Sequence, residues 1–178
     1  MKDSLAGFQV PPRQRPTLEV VTTDSTEGSV APRSGPAPRP TTDPRTAARM
    51  SRQARKDTTP EMLLRRELHR RGLRYRIEYP LPGMRRRRAD IAFTRAKVAV
   101  FVDGCFWHAC PEHGTSPANN GAWWADKLRR NMERDRETDT HLAAQGWTVI
   151  RVWEHEEATI VAEQSTAVVR VSGLDRIK

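Results

Sequence analysis

The chain has 178 residues, 31 Lys and Arg against 22 Asp and Glu, a formal net charge of +9 and two cysteines. That length suits one domain with residues to spare, two cysteines exclude a disulfide framework, and no apolar run nears the roughly 20 residues a membrane-spanning helix needs. The positive charge is local: Arg45 to Asp90 carries fifteen Lys and Arg against five acids, which favours a polyanionic partner, nucleic acid before membrane surface, over a merely solvated basic face.

In chain order, residues 1–44 hold eight of the thirteen prolines and few large apolar residues. Residues 1–45 therefore read as a disordered Pro-rich tail, either a partner-binding segment or an inert or weakly DNA-associating extension. No basic-then-apolar leader pattern opens the chain, so the expectation is a cytoplasmic, nucleoid-associated protein with reduced thiols. Residues 46–178 read as one α/β domain. Within it Thr59-Pro60-Glu61 starts a helix whose apolar side is Met62, Leu63, Leu64 and Leu68, and Gly72 stops it.

Leu73 to Tyr79 alternates Tyr75, Ile77 and Tyr79 with charged residues, the pattern of a half-buried strand. Pro80 to Gly83 turns the chain. Arg85, Arg86, Arg87 and Arg88 then precede a second strand, Ala89 to Phe93, which sets Asp90 among apolar neighbours. Val98 to Val102 is a five-residue apolar run, expected to be a strand buried on both faces and broken by Asp103-Gly104. Trp123 to Gln145 reads as a long helix ended by Gly146. Asp135 lies seven residues from both Leu128 and Leu142, so it faces inward and needs a partner. Trp147 to Trp153 is a further strand, and the last twenty residues form a covering helix. The order is helix, three strands, helix, strand, helix.

Three chemistries are written into these residues. Cys105, Cys110 and His113 share one loop at spacings that let all three face one ion, and a fourth ligand must come from elsewhere. His155, just past a strand end, is the leading candidate, giving a closed Cys-Cys-His-His set suited to zinc. Asp135 is the rival, and a surface turn without metal remains a third reading. Asp90 suits a strand carboxylate holding magnesium against a phosphate, with Arg85 to Arg88 beside it for the DNA backbone; alternatively it pairs with one of those arginines for structure. His108 has the chemistry of a general base or of a structural histidine. Phe106 and Trp107 are either core residues or wedges for base pairs.

Taken together, FVDGCFWHACPEHG, with LPGMRRRRAD upstream and NMERDRETD and GWTVIRVWEHE downstream, resembles the very-short-patch repair (Vsr) DNA mismatch endonuclease family over roughly Met50 to Glu156. The resemblance implies a restriction-endonuclease-like core, a mixed sheet flanked by helices with a structural zinc site. It implies magnesium-dependent nicking of one strand of double-stranded DNA beside a T:G mismatch, the lesion left by 5-methylcytosine deamination, by a monomer that can act with mismatch-repair proteins. Carried over, Asp90 and the backbone carbonyl of Val102 hold magnesium, His108 is catalytic, and Glu61 is a supporting acid. Phe106 and Trp107 insert next to the mismatch, Met50 wedges from the opposite groove, and Cys105, Cys110, His113 and His155 fall on or near the zinc positions. The chain departs from the family pattern at Val102 (threonine), Asp103 (a second histidine) and His155 (cysteine). Two other readings stand beside this one: a restriction-type nuclease cutting matched DNA, and a non-catalytic zinc-stabilised DNA-binding module.

Overall fold

The structure, a computed structural model, describes residues 56–115, 117 and 119–174 together with Arg45 and Ala48. The Pro-rich tail apart from Arg45, and Met50, lie outside the described residues. Seven elements follow in the expected order: α1 (Thr59–Arg70), β1 (Arg76–Leu81), β2 (Met84–Phe93), β3 (Val98–Asp103), α2 (Gly121–Ala144), β4 (Thr148–Trp153) and α3 (Ala158–Leu174). The strands form one mixed sheet in the order β1-β2-β3-β4. β1, β2 and β3 pair antiparallel through short turns, whereas β3 and β4 are parallel. A parallel pair needs a long crossover, which the loop after β3 and α2 supply.

β3 carries the sheet. Val98, Ala99, Val100 and Phe101 are all buried, as a continuous apolar run predicts. Val98 and Val100 join Leu64 and Leu68 of α1 and Val161 and Ala162 of α3 on one face. Ala99 and Phe101 join Leu142 of α2 and Trp147 on the other. The sheet is thus flanked by helices on both faces.

Both α1 and α2 end in the same hydrogen-bonded cap. Gly72 and Gly146 adopt left-handed backbone (φ +80° and +72°), which costs glycine little. The amides of Gly72 and Leu73 donate to the carbonyls of His69 and Leu68, and those of Gly146 and Trp147 donate to Ala143 and Leu142. At its start, α1 takes Thr58 rather than Thr59 as the capping residue.

The first hairpin departs from expectation. β1 starts at Arg76 rather than Leu73 and runs through Pro80 to Leu81, which an edge strand tolerates. Pro82-Gly83 makes the tight turn, with Leu81 opposite Met84. Glu78 takes a positive φ of 47°, so the expected alternation breaks and Ile77 is 51% exposed. β2 starts at Met84, so the four arginines lie inside the strand rather than ahead of it.

Leu68 has no exposed surface and sits between α1 and the sheet. Leu68→Ala should cost about 2–5 kcal/mol, read as a lower midpoint with unchanged slope in urea unfolding.

Candidate active site and metal centre

Asp90 sits where β2 and β3 part. Their paired residues are Phe93 with Val98, Ala92 with Ala99 and Ile91 with Val100. Beyond that point the backbone amide of Val102 donates instead to Asp90 Oδ2 at 2.8 Å. Arg85 to Arg88 form no ion pair with Asp90, which removes the reading that one of them holds it for structure. Burial pushes the Asp90 carboxyl up to about 6; the Val102 amide opposes this, and the charges of Glu61, Glu78 and Asp103 add to it. Glu61 is buried at the start of α1. Its carboxylate accepts from the Asp57 amide (3.0 Å), the Thr58 hydroxyl (3.0 Å) and Arg65 Nη2 (2.8 Å). The direct contacts of Glu61 are therefore with its own helix start, while its charge is felt at Asp90.

His108 lies on the loop after β3. The loop is folded by amides of His108, Cys110 and Gly114 donating to the carbonyls of Gly104, Cys105 and Cys110. Asn131 of α2 fixes it from outside, Nδ2 donating to the Trp107 carbonyl at 2.9 Å. His108 Nδ1 stands 2.7 Å from Asp135 Oδ2 and 3.4 Å from Asp103 Oδ1. An ionised Asp135 is an acceptor, so Nδ1 carries the proton and Nε2 is left with a lone pair when the ring is neutral. Burial disfavours the imidazolium, but the hydrogen bond to Asp135 and the charges of Asp103 and Asp135 outweigh it. The His108 pKa is raised above its ordinary value.

Sequence reasoning asked for a partner for Asp135, and the structure supplies two. Besides His108, Arg151 of β4 places Nη2 3.3 Å from Asp135 Oδ1. The same guanidinium holds both oxygens of Asp103 with Nη1 (2.7 and 3.0 Å) and those of Asp139 with Nε (3.0 and 3.1 Å). It lies over the Phe101 ring at 4.6 Å.

Cys105, Cys110, His113 and His155 offer four ligand atoms within 4.8 Å of one another. His155 Nδ1 stands 3.1 Å from the Cys105 sulfur and 3.8 Å from that of Cys110. Ligand atoms of a tetrahedral zinc lie roughly 3.3–3.8 Å apart, so the donor set and its spacing both fit that ion. Asp135 belongs to the other cluster, so the rival fourth ligand is not near. Burial, then the neighbouring Cys110 sulfur and Glu154, push the Cys105 thiol up to about 12. A cation bound between the two sulfurs would favour their ionised form. The Cys105 amide donates to Glu154 Oε1 at 2.7 Å, and Glu112 stands 3.6 Å from His155 Nε2.

Phe106 and Trp107 are half-buried and belong to neither core. They pack edge-on at 5.1 Å and meet Trp124 of α2 at 5.1 and 5.8 Å; Trp123 adjoins Trp124 at 4.8 Å. The four arginines divide. Arg87 is tied to α2 through Thr138 (2.7 Å), the Arg134 carbonyl (3.0 Å) and Glu137 (2.6 Å), and Arg88 donates to the Glu78 carbonyl. Arg85 and Arg86 are exposed. The residues missed from the sequence are Arg151, the one charge in an otherwise apolar strand, and Trp123 and Trp124 at the start of α2.

The family described as DNA mismatch endonuclease Vsr matches residues 41–112. The chain is 50% identical to the type II nicking enzyme V.NaeI of Lentzea aerocolonigenes, over 61% of its own length and 66%, just under two thirds, of that protein's. It is 36% identical to the type II nicking enzyme V.NmeDIP of Neisseria meningitidis serogroup C, over 65% of the chain and 79% of the relative. With the DNA mismatch endonuclease Vsr of Escherichia coli K12 it shares 35% identity, over 57% of the chain and 64% of that protein.

The raised Asp90 pKa has a consequence for stability. An acid whose folded pKa exceeds its unfolded one makes no differential contribution below about pH 4 and destabilises the fold increasingly as pH rises through about 6. Without added metal, Asp90→Asn should raise the melting temperature at pH 8 and do so much less at pH 4.5. Equal gains at both pH values would refute the assignment.

Proposed function

This chain belongs to the Vsr family of DNA mismatch endonucleases, and we propose that it nicks one strand of duplex DNA beside a T:G mismatch by magnesium-dependent hydrolysis, on a restriction-endonuclease-like core. One observation carries the proposal. Asp135 binds His108 Nδ1 at 2.7 Å, presenting Nε2 as a base on the loop that follows the strand whose Val102 amide anchors Asp90. The acid set around Asp90 is hard-oxygen chemistry suited to a divalent cation: Glu61, Glu78 and Asp103 all raise its pKa. Asp90 and the Val102 carbonyl would hold magnesium, which when bound supplies neutralising charge for the phosphate.

His108 Nε2 takes a proton from the attacking water as its oxygen bonds to phosphorus and a bridging P–O bond breaks, the departing oxygen leaving with the bond pair and taking a proton from solvent. Asp135 and Asp103 steady the imidazolium that results. Phe106 and Trp107, with Trp124 behind them, present aromatic edges beside this site. A wobble pair is poorly stacked, so wedging beside it costs less than at a matched pair, and that difference contributes to selection. Arg85, Arg86 and Arg88 are the exposed members of the four-arginine run and would meet phosphate.

Incubation with magnesium and a duplex carrying one T:G pair, across several flanking sequences, should give a single nick, with little cutting of the matched duplex. Equal cutting of both would favour a nuclease for matched DNA, and no cutting would sink the proposal. His108→Ala should lower the rate about 10²–10⁴-fold and Asp90→Ala should abolish it, with DNA affinity largely kept.

We propose further that Cys105, Cys110, His113 and His155 hold one structural zinc that stiffens the irregular loop and fixes Trp107 and His108. Elemental analysis should find one zinc per chain, and Cys110→Ser should reduce it. Chelation should lower the melting temperature.

A further inference from the structure

Resting on that functional reading, we infer that Arg151 is a positioning residue that decides which carboxylate orients His108. Two carboxylates compete for one imidazole proton. Asp135 Oδ2 is 2.7 Å from His108 Nδ1, and Asp103 Oδ1 is 3.4 Å away on the same nitrogen. Both acids are buried, and a single Nδ1–H makes one good hydrogen bond at a time. A ring turned toward Asp103 would aim Nε2 in another direction.

Arg151 breaks the tie. Its Nη1 spans both Asp103 oxygens at 2.7 and 3.0 Å, whereas its Nη2 stands 3.3 Å from the Asp135 oxygen that faces away from His108. Asp103 is thus drawn to the guanidinium, and Oδ2 of Asp135 is left for the ring. The guanidinium is itself held in place. Parallel pairing sets Arg151 beside Phe101, two residues before Asp103. The Phe101 ring lies under it at 4.6 Å, and Asp139, one turn beyond Asp135 on α2, accepts from Nε. A planar fork with five donors reaches Asp103, Asp135 and Asp139 at once through Nη1, Nη2 and Nε, which the single ammonium nitrogen of a lysine cannot do.

Arg151→Met removes the grip and frees Asp103 to compete. Three measurements on the full chain test the inference: single-turnover nicking of the T:G duplex at saturating enzyme, DNA affinity, and the NMR resonance of the His108 Nδ1 proton. R151M should slow nicking about 10–100-fold with DNA affinity within about twofold, and should shift the Nδ1 proton. Taking the charge off the competitor should undo part of this, so D103N/R151M should nick several-fold faster than R151M and bring the resonance back toward wild type. R151K, which keeps the charge, should shift it less and serves if R151M does not fold. An unmoved resonance in R151M, or a double variant no closer to wild type than R151M, overturns the inference. The resonance arm needs no DNA, so it decides the point even if the wild-type protein leaves the T:G duplex uncut. That last result would count against the functional reading alone.

Discussion

Everything in this protein hangs on β3, a strand in which only Val102 is less than fully buried. Burial on both faces requires helices on both sides, and α1 with α3 on one side and α2 on the other meet that need. It also sets where polar chemistry can occur. Val98 to Phe101 leave no room for charge, so the carboxylates gather at the strand's far end. There β2 peels away, and the Val102 amide, no longer opposite a β2 residue in the ladder, is satisfied by Asp90. The same end releases the chain into the loop that holds His108 and three of the four clustered sulfur and imidazole ligands, the fourth, His155, coming from the end of β4. A strand end of this kind is positioned rigidly by the core behind it, which is what a site needing sub-ångström placement requires.

The arrangement of charge is more discriminating than the net +9 suggests. The buried acids Glu61, Asp103 and Asp135 come with cations already in place, Arg65 on the first and Arg151 on the other two, and Arg151 also holds the partly exposed Asp139. Asp90 has no such arginine among the described residues, and its carboxyl is pushed up to about 6. Isolation from arginine is what makes that group fit to meet a divalent cation. Arg87, meanwhile, is bound to α2 on the opposite side of the hairpin, where it pins β2 to the helix that also carries Asp135 and Asn131. A run of four arginines in a strand alternates between faces, so such a run cannot be one uniform patch.

How much of this was legible in the sequence depended on whether one local rule governed the residue. Element order, the double-sided burial of β3 and the glycine caps followed from periodicity and from glycine's backbone freedom, both local. Asp135 was legible as a need: its seven-residue spacing from two leucines put a charge inward, and burial demanded a partner. The partner's identity was not legible, because Arg151 is sixteen residues on and reaches Asp135 only once β4 lies parallel to β3. His155 joined Cys105, Cys110 and His113 for the same reason, its position at the end of β4 being fixed by register with β3. The hairpin was misread because Glu78 in left-handed backbone switches faces midway, and no pattern of apolar residues announces that. The start of β2 was misread because four consecutive arginines look like a charged link, whereas they lie inside the strand.

The loop from Gly104 to Gly114 contributes to two clusters of ligand-type side chains, and the residues present make them chemically distinct. One cluster offers two sulfurs and two imidazoles, soft and borderline donors that suit zinc. The other, Asp103, His108 and Asp135, also has its ligand atoms close enough for an ion. There, however, the guanidinium of Arg151 already lies 2.7 Å from Asp103 and 3.3 Å from Asp135. A metal entering that cluster would have to share those oxygens with a fixed positive charge in a half-enclosed site, where repulsion is poorly screened. The arginine thus neutralises the acids without displacing the proton of His108 Nδ1, the nitrogen that faces them and that a metal ion there would bind. A histidine that is to transfer protons two residues before Cys110 and five before His113, in the proposed zinc set, needs such a guard, and Arg151, the lone charge in β4, provides it.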